Sequence, residues 1–310
     1  MRPLQSAFNI SLTILLVQCL SGIARASEKS QPALVEAGEI KSAHGCRIEY
    51  ERYRPLQKTV STEVILAHGF MRKLNNMRGW ARHWQQQGIP TTLVSLCNSS
   101  WLNGNHQKNA DDMQALRREL GIDTAVYAGF SAGGLAAYLA VGQDAAAAGY
   151  LGLDSVDSDD LAISTTDPLT VPTLFLTGEP SACNAWGNFK PVFQRWRQYR
   201  VSQLSGATHC HFEMPYDKRC GWLCGGVDEE ITPQIQSNIR EQATDWLRQL
   251  HNLAPRETSE EKATGSIGPG HPAPLLHLAA EHPQQSSKKK WLRWTMLRSR
   301  PTTLSTHTSE

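Results

Sequence analysis

What this 310-residue sequence has least of is net charge: 31 Lys and Arg stand against 29 Asp and Glu, leaving +2. Without a chain-wide basic field, nucleic-acid binding driven by phosphate neutralisation is excluded. Absent too, beyond residue 26, is any apolar run approaching the ~18 residues of a membrane span. No internal repeat is present, so solenoid and propeller architectures fall away. Paired C-x₂-C hooks, which mark many structural zinc sites, are missing although there are 7 cysteines. What remains, 40% hydrophobic and 19% charged, is the composition of a globular chain long enough for a large core.

Residues 1–26 have the form of a secretory signal peptide: Arg2, an apolar run Ile10–Val17 continuing to Ile23, then Ala24-Arg25-Ala26 as a small-x-small cleavage site. Ser11, Thr13, Gln18 and Ser21 interrupt the run and argue against an uncleaved anchor. Cys19 follows Leu16-Val17-Gln18 instead of the small residues that a lipidation site wants. Export, periplasmic or extracellular, is the expectation. Cleavage after Ala26 leaves Cys46, Cys97, Cys183, Cys210, Cys220 and Cys224, an even set that an oxidising compartment would pair. Bridges are expected among Cys210, Cys220 and Cys224, with Cys183 as a fourth member. The rival reading is a zinc site of Cys210, His211, Cys220 and Cys224, but export favours oxidation over thiolates.

Residues 27–254 read as one catalytic domain and 255–310 as a tail. The tail is rich in Ser, Thr, Pro, Gly, Gln and His and is expected to be low-complexity and disordered. Within it, 288–300 carries six basic residues and no acid, interleaved with Trp291, Leu292 and Trp294. That composition suits weak contact with an anionic membrane surface; a solvated extension with no role is the alternative.

In the domain, short apolar runs alternate with amphipathic stretches. Val64–Ala67, Thr91–Leu96, Thr124–Ala128, Tyr150–Leu153 and Thr173–Leu176 are expected as buried parallel strands. Asn75–Gln87, Ala110–Leu120 and Leu135–Val141 have helical spacing. Cys46–Tyr53 is expected as an earlier antiparallel strand. A closing helix over Ile231–Leu250 should turn Ile235, Ile239, Ala243 and Leu247 inward. The alternation predicts an α/β class with a mostly parallel sheet and helices on both faces.

The strand Thr124–Ala128 runs into Gly129-Phe130-Ser131-Ala132-Gly133 and then an alanine-rich helix. A G-x-S-x-G in that context is a nucleophile elbow, whose tight turn needs glycine on both sides and exposes the Ser hydroxyl at the sheet edge. A hydroxyl needs a base, and His209 follows on a turn in Ser205-Gly206-Ala207-Thr208-His209. His211 competes for that role. The acid expected to orient the base is Asp154, at the end of the strand Tyr150–Leu153, with Glu179 and Asp157 as alternatives. Asp157, Asp159 and Asp160 read as solvated loop charges. Oxyanion donors are expected from the backbone amides of Ala132 and Phe70, with His68 shaping the turn beneath Phe70. Trp101 and Trp186, on loops leaving the sheet edge, are candidates to line an acyl pocket.

These residues, over about 40–250, resemble the α/β-hydrolase superfamily: His68-Gly69-Phe70, the Ser131 elbow and Gly206-Ala207-Thr208-His209 occur in its order. Leu151-Gly152-Leu153-Asp154-Ser155-Val156-Asp157 is similar to the acid-bearing segment of chlorophyllase-like and platelet-activating-factor-acetylhydrolase-like members. Two features depart from common members: Phe130 stands where His or Tyr often precedes the Ser, and the Cys-rich loop 210–224 is unusual. The resemblance implies an α/β-hydrolase fold and a serine hydrolase acting on a small-molecule carboxylic ester; the short segment between Tyr150–Leu153 and Thr173–Leu176 leaves room for a small lid or none. That chemistry requires no cofactor and no metal. Acyl transfer on the same site and a non-catalytic binding protein of the same fold are the alternatives.

Overall fold

The computed structural model describes residues 34–253 apart from 59, 101–102, 166–168, 196–198 and 226–229, with side chains described to 250. Residues 1–33, residues 254–310 with the basic stretch 288–300, and Trp101 lie outside the described residues.

Eight strands form one sheet: β1 Leu34–Lys41, β2 Arg47–Arg54, β3 Glu63–Ala67, β4 Thr91–Val94, β5 Ala125–Phe130, β6 Ala147–Leu153, β7 Thr173–Thr177 and β8 Tyr199–Gln203. Their order is β1-β2-β4-β3-β5-β6-β7-β8. β2 runs antiparallel to β1 and to β4, and every other pairing is parallel. The helices are α1 Arg78–Gln86, α2 His106–Glu119, α3 Ala132–Gln143, α4 Leu161–Ser164, α5 Lys190–Phe193, α6 Lys218–Cys224 and α7 Thr232–Leu253.

Strand periodicity divides the core. Val64 and Leu66 of β3 face Trp80 and Trp84 of α1 and Ile239, Ala243 and Leu247 of α7. Ile65 and Ala67, one residue out of phase, face Met113 and Leu116 of α2 and Leu135 and Tyr138 of α3. On α1 and α7 the inward residues recur every fourth position, which gives each helix one apolar stripe. α3 is buried along nearly its whole length, and its Ala and Gly residues let it lie close beneath the sheet.

The expected strands and helices are present with shifted ends. Two strands were not anticipated, β1 and β8, and both are sheet edges with mostly exposed side chains and no apolar run to betray them. Among the described residues, the connection from β6 to β7 holds only the single turn of α4, so no large lid is built there. The cysteines pair as Cys46–Cys97, Cys183–Cys224 and Cys210–Cys220.

Candidate active site

The elbow after β5 explains its own sequence. A Cβ on Gly129 would lie 2.1 Å from the Gly133 carbonyl oxygen, and one on Gly133 would lie 2.3 Å from the His68 oxygen. Any larger residue at either position would push the chain apart. Between them Ser131 sits at φ 54°, ψ −121°, a strained backbone that a non-glycine residue holds only when its surroundings enforce it. Enforcement comes from both sides: the Ser131 amide donates to the Leu153 carbonyl at 3.0 Å, and the Ser131 carbonyl accepts from Gly134 at 2.9 Å.

Ser131 Oγ lies 3.0 Å from His209 Nε2, and His209 Nδ1 lies 2.6 Å from Asp154 Oδ2. With a carboxylate at Nδ1, the imidazole proton sits there and donates to Asp154, so Nε2 is left to accept the Ser131 proton. All three side chains are buried. The Phe130 ring packs on the imidazole with centroids 4.6 Å apart, which gives the residue before Ser131 an apolar role. Asp154 follows β6, also at positive φ (47°), and its Oδ1 accepts from the Gly178 amide at 2.9 Å. Asn184 adds its side-chain amide 3.2 Å from Asp154 Oδ2. Sequence reasoning missed Asn184, because an amide on an irregular loop carries no spacing signal; its position in the loop after β7, beside the acid, was the only hint.

The competing residues are engaged elsewhere. His211 Nδ1 accepts the Thr208 amide at 2.8 Å, and its Nε2–H donates to Thr232 Oγ1 at 3.1 Å, so it ties the loop to α7 instead of facing Ser131. Burial pushes its pKa down. Glu179 accepts from the Gly206 amide at 3.3 Å and braces the turn before His209. Asp157 is not the solvated charge expected: its buried carboxylate accepts from the Ala162 and Ile163 amides at 2.8 and 3.0 Å and caps α4. Two amide donors compensate it where water cannot, although burial still pushes its pKa up.

His68 is buried, accepts the Leu96 amide at Nε2 (3.1 Å) and donates from Nδ1 to the Gly69 carbonyl (2.8 Å). It is thereby a neutral wedge that shapes the turn leading to Phe70, with burial lowering its pKa. Arg72, two residues beyond Phe70, forms ion pairs with Glu213 and Asp217 and so ties this turn to the segment carrying His209. Phe70 and Ala132 line one cleft with Ser131, about 520 Å³ in volume. Ala132 opens α3, where its amide has no carbonyl partner within the helix. Trp186 is 73% exposed and lies outside the cleft lining.

The sulfurs of Cys210, Cys220 and Cys224, three of the four residues in the rival zinc reading, lie within 4.8 Å of one another. Each is bonded in a disulfide, and the fourth supposed ligand, His211, is turned to Thr232. The donor set therefore does not fit zinc.

Strand order, elbow, and a His and an Asp from later loops define the class: this chain has the α/β-hydrolase fold. Solved structures agree. A predicted CIB-like hydrolase of Thermoplasma acidophilum aligns with TM-score 0.54 at 13% identity, covering 70% of this chain and 99% of that one. A dienelactone hydrolase of Anabaena variabilis gives 0.53 at 17%, covering 71% and 99%. An esterase of Rhizomucor miehei gives 0.53 at 13%, covering 83% and 95%. No protein-family model matches the sequence, and no curated protein matches it either.

Proposed function

We propose that this chain is an exported serine hydrolase of carboxylic esters, with Ser131 as nucleophile, His209 as base and Asp154 as the acid that orients it. The observation that carries the reading is the continuous line Ser131 Oγ–His209–Asp154 at 3.0 and 2.6 Å. Ser131 Oγ attacks the ester carbonyl while its proton passes to His209 Nε2. The resulting oxyanion takes the Phe70 and Ala132 amides. Collapse breaks the bond to the alcohol, which leaves with the proton from Nε2. Water then gives a proton to the same nitrogen and attacks the acyl-enzyme, and collapse releases the acid as Nε2 returns that proton to Ser131 Oγ.

The esterase and hydrolase neighbours, with their shared fold, are in keeping with this chemistry. Export is supported by the three cysteine pairs together with the form of residues 1–26. Labelling by an active-site fluorophosphonate tests the reading: the adduct should form on Ser131 and disappear in Ser131→Ala. An unlabelled, ester-inert protein would point to the binding-protein alternative. Products trapped with an added alcohol would point to acyl transfer.

A further inference from the structure

His106 belongs to neither the triad nor the turn that shapes it, yet it lines the same cleft as Ser131 and Ala132. It opens α2, and its side chain is only 6% exposed. Its Nδ1 is buried and has no hydrogen-bond partner among the described residues. A buried polar atom left unsatisfied is a standing cost to the fold and calls for an explanation.

Gly104 supplies the second observation. A Cβ there would lie 2.2 Å from His106 Nε2, so this nitrogen occupies the space a side chain would fill. Gly104 itself lines the cleft beside His106, and any side chain there would collide with Nε2. Burial lowers the pKa of His106, an effect that a hydrogen bond with the Ala132 backbone and the charge of the Asp159 carboxylate oppose. An unsatisfied lone pair is the cheaper state for the sealed nitrogen, so the proton resides on Nε2. The cleft lining also carries the polar residues Asn103, Ser158 and Asp159.

We infer that His106 is a substrate-reading residue, whose Nε2–H donates to a second acceptor oxygen of the ester, beyond the scissile carbonyl. This rests on the hydrolase reading above and narrows its substrate class. The cleft takes esters whose acyl or alcohol part carries a hydroxyl, ether or carbonyl oxygen near the reacting carbon, in preference to plain alkyl esters of the same shape.

Two pairs of isosteres test it on the full mature protein. On the acyl side, p-nitrophenyl methoxyacetate is compared with p-nitrophenyl butyrate. On the alcohol side, 2-methoxyethyl acetate is compared with n-butyl acetate. The ratio of kcat/KM within each pair, divided by the same ratio in a variant, cancels the intrinsic reactivity of the ester. In His106→Leu the ratio should fall about 2- to 10-fold for one pair, the size of one net hydrogen bond, and that pair names the side that is read. Gly104→Ala, which covers Nε2 but keeps the histidine, should lower the same ratio. His106→Gln, which keeps a donor, should lose less, and circular dichroism checks that each variant is folded. Ratios unchanged in every variant on both pairs would overturn the inference while leaving the hydrolase reading intact. A wild-type protein that cleaves none of the four esters and resists fluorophosphonate would overturn both.

Discussion

Asn184 holds Asp154 by its side-chain amide, 3.2 Å from Oδ2, and does so from a loop that the neighbouring residue, Cys183, bonds to α6. The same amide donates to the Glu179 carbonyl at 2.9 Å, so its direction is fixed from two sides. Replacing it by Leu removes one of the donors that aim the carboxylate. In Asn184→Leu, kcat should fall about 10-fold with KM little changed, the loss expected for one buried hydrogen bond to a charged group. Steady-state kinetics on a soluble ester decide it, and a wild-type kcat would reduce Asn184 to packing.

Ser131→Ala should lower kcat on an activated ester by a factor on the order of 10⁶ with folding unchanged, and His209→Ala comparably. His211→Ala should instead weaken the fold, by about 1–3 kcal/mol, because it strips the Thr208 amide and Thr232 of their buried partner. Denaturant melts alongside kinetics separate the two histidines; an inactive but fully stable His211 variant would exchange their roles.

Asp154→Asn should reduce kcat by about 10⁴, through loss of the tautomer that leaves Nε2 unprotonated, with KM nearly constant. Glu179→Gln, which only braces the Gly206 turn, should stay within a few-fold of wild type. The opposite order in a side-by-side assay would move the acid to the loop after β7.

His68 and His211 are held neutral by burial, each with its folded pKa below the ordinary 6.5. The unfolded chain then binds protons that the folded one refuses. Their contribution to stability is whole above pH 6.5 and is lost as pH falls from there toward the depressed folded values. Urea melts between pH 7.5 and 5 should show stability decreasing on the acid side. His211→Gln should flatten that slope; an unchanged slope would assign it to other groups.

The disulfides should differ in what they protect. Cys210–Cys220 closes a 10-residue span beside His209 and Cys183–Cys224 a 41-residue span, worth about 3 and 4 kcal/mol from loop entropy. Cys46–Cys97 joins the residue before β2 to the segment after β4, two elements that do not carry His209. Cys210→Ser/Cys220→Ser should therefore lose activity at temperatures where far-UV circular dichroism is still native. Cys46→Ser/Cys97→Ser should lower Tm and leave activity below it intact. Equal activity losses in both would show that the bridges act only through global stability.

The elbow was legible because its geometry is written in sterics: no residue but glycine fits at 129 or 133, and the apolar strand before them is continuous. The place of Asp154 beside His209 was legible for a related reason, since it follows a buried strand adjacent to the one that carries Ser131. Asp157 was misread because acidic neighbours at 159 and 160 suggest solvent, whereas the chain turns it inward to cap α4. His106 and Asn184 went unseen, for their roles depend on what tertiary packing sets beside them. Edge strands β1 and β8 were missed because strand patterning is imposed by burial, and a sheet margin has little of it.

The β8 margin has a further consequence, for how copies of this chain meet. β8 pairs with β7 on one flank, and among the described residues no strand covers the other, so a row of amides and carbonyls faces outward. At five residues it offers about 17 Å of ladder to an incoming strand. Arg200 sets a charge on that margin, anchored to Gln249 of α7 at 2.6 Å. Brevity and charge make the strand a poor template for edge-to-edge association. Arg200→Ile, which leaves Tyr199-Ile-Val201 along an open flank, would turn a quiet boundary into an adhesive one.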